Sequence, residues 1–270
     1  MITWGEYLTR GVSNESLEFK PVVDKGMYPK GLNAPFLNIE GKPAETVVVD
    51  YTGRFENHGR DIARSAPDII NLLKNDAGLG PGQTVVDFGS GTGLFLKDLA
   101  SIVTAQGAVL ATEISAVFRD HLIKRTLADE ELKQTVKIVY NNDGRNPNLT
   151  GYNGTIDLVF ICDVYHHLEW PLSVMRNLRK ALKPEGKLVL IDFHRDKEIH
   201  KSHPDDPDWI LKHVRAGQEV FREEICSCGF ELVSEPPCTF IPENYVMIFK
   251  PSSEKTWSQQ PGTGWGMKAR

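Results

Sequence analysis

Short apolar segments with strand character alternate with helical patterns along the middle of this 270-residue chain. Helical spacing of apolar residues is found over residues 61–75, 93–105, 171–182 and 215–228, and a further helix is expected after Ser115. The predicted strands are residues 84–88, 108–112, 136–140, 156–162, 187–193, 229–233 and 245–249. Strands that alternate with helices in this way form an open, mostly parallel sheet with helices on both faces. The sequence therefore predicts an α/β fold.

A glycine-rich turn, Gly89-Ser90-Gly91-Thr92-Gly93, follows the first predicted strand. Glycines at alternate positions let the backbone turn tightly and approach a ligand closely, and the helix that follows offers free N–H groups. A dinucleotide-binding turn would carry Gly or Ala at the position of Leu94. The strand also ends in Asp87, whose charge would repel a pyrophosphate. The turn therefore favours a ligand that is cationic or carries an amine.

A second acidic residue, Glu113, ends the second predicted strand, twenty-two residues beyond Gly91. The carboxyl ends of parallel strands meet at one edge of a sheet, and ligands of open α/β sheets bind there. A carboxylate at this position can accept hydrogen bonds from both hydroxyls of a ribose. Two acids and a glycine turn at neighbouring strand ends together predict a binding site for a cationic nucleoside.

These motifs resemble those of the class I S-adenosylmethionine-dependent methyltransferases, over roughly residues 61–250. The resemblance implies a Rossmann-like, seven-stranded sheet whose last strand is antiparallel, and S-adenosylmethionine as the cofactor. It implies that the glycine turn wraps the methionine and ribose part of the cofactor and that the acid after the second strand binds the ribose. Asn142-Asp143-Gly144 stands where the family contacts adenine, although the same residues form an ordinary turn. The cofactor-binding residues so implied are Asp87, Gly89, Ser90, Gly91, Gly93, Glu113, Ile114, Asn142, Asp143 and Asp163.

The fourth predicted strand leads into Tyr165-His166-His167, which resembles the small-molecule branch of the same family, such as the quinone and sterol methyltransferases. A histidine there would suit a general base for a hydroxyl or an acidic carbon, because its pKa lies near neutrality. We expect His166 and His167 to be catalytic, with Tyr165 as a further candidate. Alternatively, one histidine only caps the loop or packs beneath the cofactor. The Asn/Asp-Pro-Pro-Tyr motif of nucleobase methylation is absent here.

Three segments outside the predicted strands and helices are candidates for covering the site or its surroundings. Residues 1–60 are predicted to form an arm or lid, and residues 251–270 a loosely ordered tail. Tyr51, Phe55 and Arg60 could close over the cofactor or the acceptor, or could equally pack within the arm. Three further histidines are interleaved with acids between residues 194 and 208, namely His194, His200 and His203. Their spacing fits no recognised metal motif, so a solvated lid over the acceptor is expected and no metal is predicted.

Composition excludes several classes of protein. The 31 Lys and Arg against 36 Asp and Glu give a net charge of −5, which offers no general attraction to nucleic acid or anionic lipid. The four cysteines are too few and too scattered for a disulfide framework. No apolar stretch approaches the length of a membrane span, and residues 1–6 lack the features of a secretory signal, so a cytoplasmic location is expected. The oligomeric state is left open.

The leading hypothesis is a methyltransferase that uses S-adenosylmethionine to methylate a small organic acceptor. The alternative is a catalytically inactive, methyltransferase-like binding or regulatory module, because binding and transfer are separable. A nicotinamide-dependent dehydrogenase is disfavoured by Leu94 and Asp87.

Overall fold

The computed structural model describes Asn33, Phe36 and residues 42–140 and 144–253. Two 3-10 turns, Thr150–Tyr152 and Tyr165–His167, flank the fourth strand. The other elements, in chain order, are α1 (Ala44–Phe55), α2 (Asp61–Arg64), α3 (Ala66–Asn75), β1 (Thr84–Phe88), α4 (Leu96–Val103), β2 (Ala108–Glu113), α5 (Ala116–Leu127), α6 (Glu130–Thr135), β3 (Val136–Tyr140), β4 (Ile156–Cys162), α7 (Pro171–Ala181), β5 (Leu182–Phe193), α8 (Trp209–His213), α9 (Gln218–Ser227), β6 (Phe230–Ser234) and β7 (Asn244–Pro251).

Within these residues, seven strands form one sheet in the order β3-β2-β1-β4-β5-β7-β6. The pairs β2–β3, β1–β2, β1–β4 and β4–β5 are parallel, whereas β7 runs antiparallel to both β5 and β6. This confirms the predicted α/β class and the antiparallel last strand. The strand order reverses between β1 and β4, and the crevice at such a reversal is the usual ligand site.

Alternate residues of the central strands pack against opposite layers of helices. Val86 and Val159 lie in the same apolar cluster as the buried residues of α7 and α9. Their chain neighbours Val85 and Leu158 lie in the cluster formed with α3 and α4. Because both faces of the sheet are covered, residues 187–193 of β5 are nearly all apolar, as the sequence indicated.

Several elements differ from their predicted limits. The segment 183–186, which separates the predicted helix 171–182 from the predicted strand 187–193, lies within β5. Leu182 pairs with Ile156 and Lys187 pairs with Leu158 across a bulge. Helix α9 begins at Gln218 and not near residue 215, because Gly217 at the N-cap has an extended backbone.

The chain before residue 60 contains a helix that its short apolar runs did not suggest. The run 46–49 lies in α1, where Val47 is buried and Val49 is 69% exposed. Branched residues favour a helix only weakly, so the contact of Tyr51 with Phe118 of α5, 5.2 Å between ring centroids, supplies a tertiary reason for this helix. Most of the predicted arm and residues 254–270 of the tail lie outside the described residues. The boundary at residue 60 stays a prediction.

No helix of the described ranges is both long enough and apolar enough to cross a bilayer.

Candidate functional site

A cavity of about 790 Å³ lies at the carboxyl ends of four neighbouring strands. Asp87 of β1, Glu113 of β2, Cys162 of β4 and Phe193 of β5 all line it. The same cavity is bordered by the glycine turn and by three histidines, His166, His167 and His213, which we call the histidine cluster. This cavity therefore lies at the strand ends, where the sequence predicts a site.

The glycine turn is built from backbone conformations that favour glycine. Gly89, Gly91 and Gly93 have φ values of 74°, 56° and 94°. A Cβ atom on Gly89 would lie 2.7 Å from Cγ1 of Val164, so the turn and the loop after β4 are in close contact. The Gly89 N–H donates to the Thr112 carbonyl oxygen at 3.1 Å, and the Ser90 hydroxyl donates to the Asp87 carbonyl oxygen at 2.9 Å.

The two strand-end acids are both buried. The Glu113 carboxylate accepts hydrogen bonds from the N–H groups of Gly91, Ile114 and Ser115 at 2.7 to 2.8 Å. A carboxylate can accept roughly four hydrogen bonds. Three are already made, so the Glu113 carboxylate can accept about one more. Burial raises the pKa of Glu113 to about 7 and that of Asp87 to about 6. A bound cation would restore the charged form of both groups.

Asp163 lies just beyond β4 in a left-handed conformation, with φ of 51°. Its carboxylate pairs with the Arg60 guanidinium and accepts a hydrogen bond from the Asn244 side-chain amide at 2.7 Å. Burial raises the pKa of Asp163 to about 7, although Arg60 opposes the rise. Arg60, suggested above as a closing residue, is therefore tied directly to a strand-end acid.

Aromatic side chains form one wall of the cavity. The ring of Tyr51 packs against the rings of Phe55 and Phe118 with centroid distances of 5.3 and 5.2 Å, and Phe36 joins the same group. Tyr51 and Phe55, expected either to cover the site or to pack within the arm, both line the cavity. Rings of this kind offer negative faces to a cation.

The histidine cluster joins the loop after β4 to α8. His166 Nδ1 lies 2.8 Å from Asp192 Oδ1, and the His166 backbone N–H donates to Asp192 Oδ2 at 3.1 Å. His166 Nε2 lies 3.2 Å from His213 Nε2. Burial lowers the pKa of His166 to about 3 and that of His213 to about 2, while it raises the pKa of Asp192 to about 7. The buried rings are therefore neutral near pH 7.

Of the three histidines predicted between residues 194 and 208, two line the cavity and one does not. His200 and His203 line the cavity, and His203 stacks on Trp209 with 3.8 Å between centroids. His200 is buried, with Nδ1 3.0 Å from Glu243 Oε2, so this part of the expected solvated lid is a packed wall. His194 is not among the cavity residues and packs against Tyr245.

Tyr165 does not reach the cavity. Its ring is fully buried and its hydroxyl donates to Glu224 at 3.1 Å, beside the buried Arg215. The structure therefore corrects its candidacy as a catalytic residue, because the hydroxyl is held in the core beneath α9. Asn142 and Asp143 lie outside the described residues.

Two side chains of the candidate site were not singled out from the sequence. Asp192 is the last residue but one of β5, the neighbour of β4, so its contact with His166 could have been inferred from the strand order. His213 comes from a short helix in a charged stretch and carries no motif that would single it out.

Comparisons with known proteins agree with this fold. Residues 86–188 match the family model of a methyltransferase domain. The lovastatin diketide synthase of Monascus pilosus is 27% identical over 213 residues, which are 74% of this chain but 8% of the synthase. The ubiquinone biosynthesis O-methyltransferase of Haemophilus ducreyi is 26% identical over 180 residues, 65% of this chain and 73% of that enzyme. The chain thus spans less than a tenth of the synthase.

A solved structure shares the fold. The S-adenosylmethionine-dependent methyltransferase from Aquifex aeolicus aligns with a TM-score of 0.55 at 19% identity, over 67% of this chain and 88% of that one. At this identity the likeness shows the architecture alone.

Proposed function

Because the chain contains a methyltransferase domain of the class I S-adenosylmethionine-dependent family, we propose that it transfers the methyl group of S-adenosylmethionine to a small organic acceptor. The observation that carries this proposal is the continuity of one cavity from the glycine turn to the histidine cluster. Such a cavity lets the cofactor and an acceptor lie side by side, as an in-line transfer needs.

The residues around the glycine turn fit the cofactor. S-adenosylmethionine, when bound, supplies a methyl group on a positively charged sulfur. Asp87 offers a carboxylate toward a cationic ligand, and burial from water strengthens that attraction. The rings of Tyr51 and Phe55 add faces that attract a cation. The remaining acceptor capacity of Glu113 suits a ribose hydroxyl.

The histidine cluster is assigned to the acceptor. Asp192 orients the His166 ring, and His166 Nε2 lies 3.2 Å from His213 Nε2. A neutral imidazole with so low a pKa takes up a proton poorly near pH 7, so His166 is poorly suited to the general-base role expected from the sequence. We therefore assign His166 and His167 to holding the acceptor, and we leave Tyr165 out of the catalytic groups.

A small acceptor is favoured over a nucleic acid by three observations. The net charge is −5, and the loop after β4 lacks the Asn/Asp-Pro-Pro-Tyr motif. Both relatives described above, a diketide synthase and an O-methyltransferase of ubiquinone biosynthesis, bear names that refer to small organic molecules. The cavity volume of about 790 Å³ also lies within the usual range for sites that hold small ligands.

The first test is calorimetric titration with S-adenosylmethionine and S-adenosylhomocysteine. We expect one molecule bound per chain, with affinity reduced about 10- to 100-fold in Asp87→Ala and Glu113→Ala, the cost of losing a charged hydrogen-bonding partner. Asp157→Asn is the matched control, because Asp157 accepts from the Thr84 N–H at the opposite end of the sheet. Unchanged affinity in both site variants would refute the assignment.

The second test measures S-adenosylhomocysteine release with a panel of diketides and hydroxylated aromatic compounds. Turnover that falls in His166→Ala while cofactor affinity is retained would support the acceptor assignment. Cofactor binding without turnover on any member of the panel would favour the binding or regulatory module.

A further inference from the structure

We propose that the histidine cluster binds one divalent cation of the zinc class, with His166, His167 and His213 as ligands. One ring nitrogen of each residue lies within 4.8 Å of the others. The three rings come from two separate elements, the 3-10 turn after β4 and helix α8, which tertiary packing brings together.

The distance between two of the ring nitrogens is already that of metal ligands. His166 Nε2 and His213 Nε2 are 3.2 Å apart. Zinc–nitrogen bonds of 2.0–2.1 Å in a tetrahedral site separate neighbouring ligand nitrogens by about 3.3 Å. His167 lies beside this pair, with its ring centroid 4.2 Å from that of His166 and 5.1 Å from that of His213. A rotation of its ring would complete the set.

Neighbouring side chains fix the orientation of the His166 and His213 rings, as is usual for metal-binding histidines. Metal-binding histidines commonly donate their other ring N–H to a carboxylate, and His166 Nδ1 makes such a contact with the fully buried Asp192 at 2.8 Å. The His213 ring is stacked on Trp209 with 4.2 Å between centroids and 21° between planes. These contacts restrict how far the rings of His166 and His213 can turn.

The type of ligand indicates which class of metal would bind. Three imidazoles favour zinc, cobalt, nickel, copper or iron over magnesium and calcium. The Asp192 carboxylate, next to His166, would offset part of the added charge.

Three protein ligands leave a fourth position open, which is typical of catalytic and not structural zinc sites. All three histidines line the cavity, so the open position faces the space assigned to the acceptor. An acceptor that carries an oxygen donor would bind there as a ligand. This role of the site rests on the proposed methyl transfer, whereas binding of the metal does not.

The test uses the metal alone. The chelator-treated full chain is titrated with Co²⁺ and with Zn²⁺ in the absence of S-adenosylmethionine, with calorimetry for stoichiometry and visible absorption for the geometry of bound cobalt. We expect one ion per chain and a tetrahedral or five-coordinate cobalt spectrum without a thiolate charge-transfer band. Such a band would assign the ion to a cysteine and overturn the proposal, since Cys162 also lines the cavity.

Variants locate the ion. His213→Gln preserves much of the side-chain volume and is expected to weaken binding at least 10-fold, while Asp192→Asn, at a positioning residue, is expected to weaken it 10- to 100-fold. His194→Gln, outside the cavity residues, is the matched control. Circular dichroism melting shows whether each variant is folded.

Absence of one-to-one binding, or equal affinity in folded His213→Gln and the parent chain, would overturn the proposal and leave a hydrogen-bonded histidine cluster. Because no cofactor is present in the titration, this outcome is distinct from a failure to bind S-adenosylmethionine.

Discussion

The close contact between Gly89 and Val164 gives a quantitative test of how the glycine turn is held. In Gly89→Ala, the new Cβ would lie 2.7 Å from Cγ1 and 2.8 Å from Cγ2 of Val164, and the residue would keep φ near 74°. The left-handed conformation costs a non-glycine residue about 1–2 kcal/mol. Overpacking against the partly buried Val164 side chain costs about 1–3 kcal/mol more. We therefore expect a total loss of about 2–5 kcal/mol in the free energy of unfolding.

Gly78→Ala separates the two contributions. Gly78 has φ of 78°, almost that of Gly89, but nothing lies within 4 Å of its added Cβ. This control should lose only the conformational part, about 1–2 kcal/mol. The double variant Gly89→Ala with Val164→Ala removes the clash from the side of Val164. Once the loss of Val164→Ala alone is subtracted, the double variant should lose only the conformational part of the free energy of unfolding.

The assay is urea unfolding of the four variants and the parent chain, supported by thermal melting, in which 1 kcal/mol corresponds to about 2–4 °C for a domain of this size. Equal losses in Gly89→Ala and Gly78→Ala, with no coupling in the double variant, would refute the argument. In that case Val164 would move aside at no cost and would not constrain the turn.

Three further predictions concern buried charge and tertiary links. Glu224→Gln removes the carboxylate that pairs with the fully buried Arg215, so we expect a loss of about 3–5 kcal/mol in urea unfolding, and a loss below about 1 kcal/mol would contradict a desolvated pair. Burial raises the pKa of Asp87 from 3.8 to about 6, so its folded form holds a proton more tightly than the unfolded form. The stability from this group is present below about pH 4 and is lost as the pH rises through about 6. Asp87→Asn should abolish that part of the decline, and parallel slopes of stability against pH in both proteins would be the contrary result. Arg179 donates to two backbone carbonyls, those before β6 and after β7, at 2.7 and 2.9 Å, so Arg179→Ala should cost about 1–3 kcal/mol and the exposed Lys180→Ala almost nothing in thermal melts.

The sequence by itself determined the features that depend on near neighbours along the chain. The spacing of apolar residues along a strand indicates whether the strand is covered on both faces. Glycines at alternate positions indicate backbone conformations that other residues avoid. The seven strands, the turn at Gly89 to Gly93 and the acids that end β1 and β2 are of this kind. Because parallel strands present their carboxyl ends together, even the meeting of Asp87 with Glu113 at one cavity followed from the pattern.

Tertiary structure alone decided the contacts between distant segments. Tyr165 and His166 are adjacent, yet one is fixed in the core by Glu224 and the other faces the cavity beside Asp192. The approach of His213 to His166 depends on how α8 packs over the sheet, and no local pattern records that packing. Burial also depends on the whole fold. Desolvation and neighbouring groups set the pKa values of these residues, and the local sequence does not determine either. The chemistry that the cavity can support therefore depends on the tertiary structure.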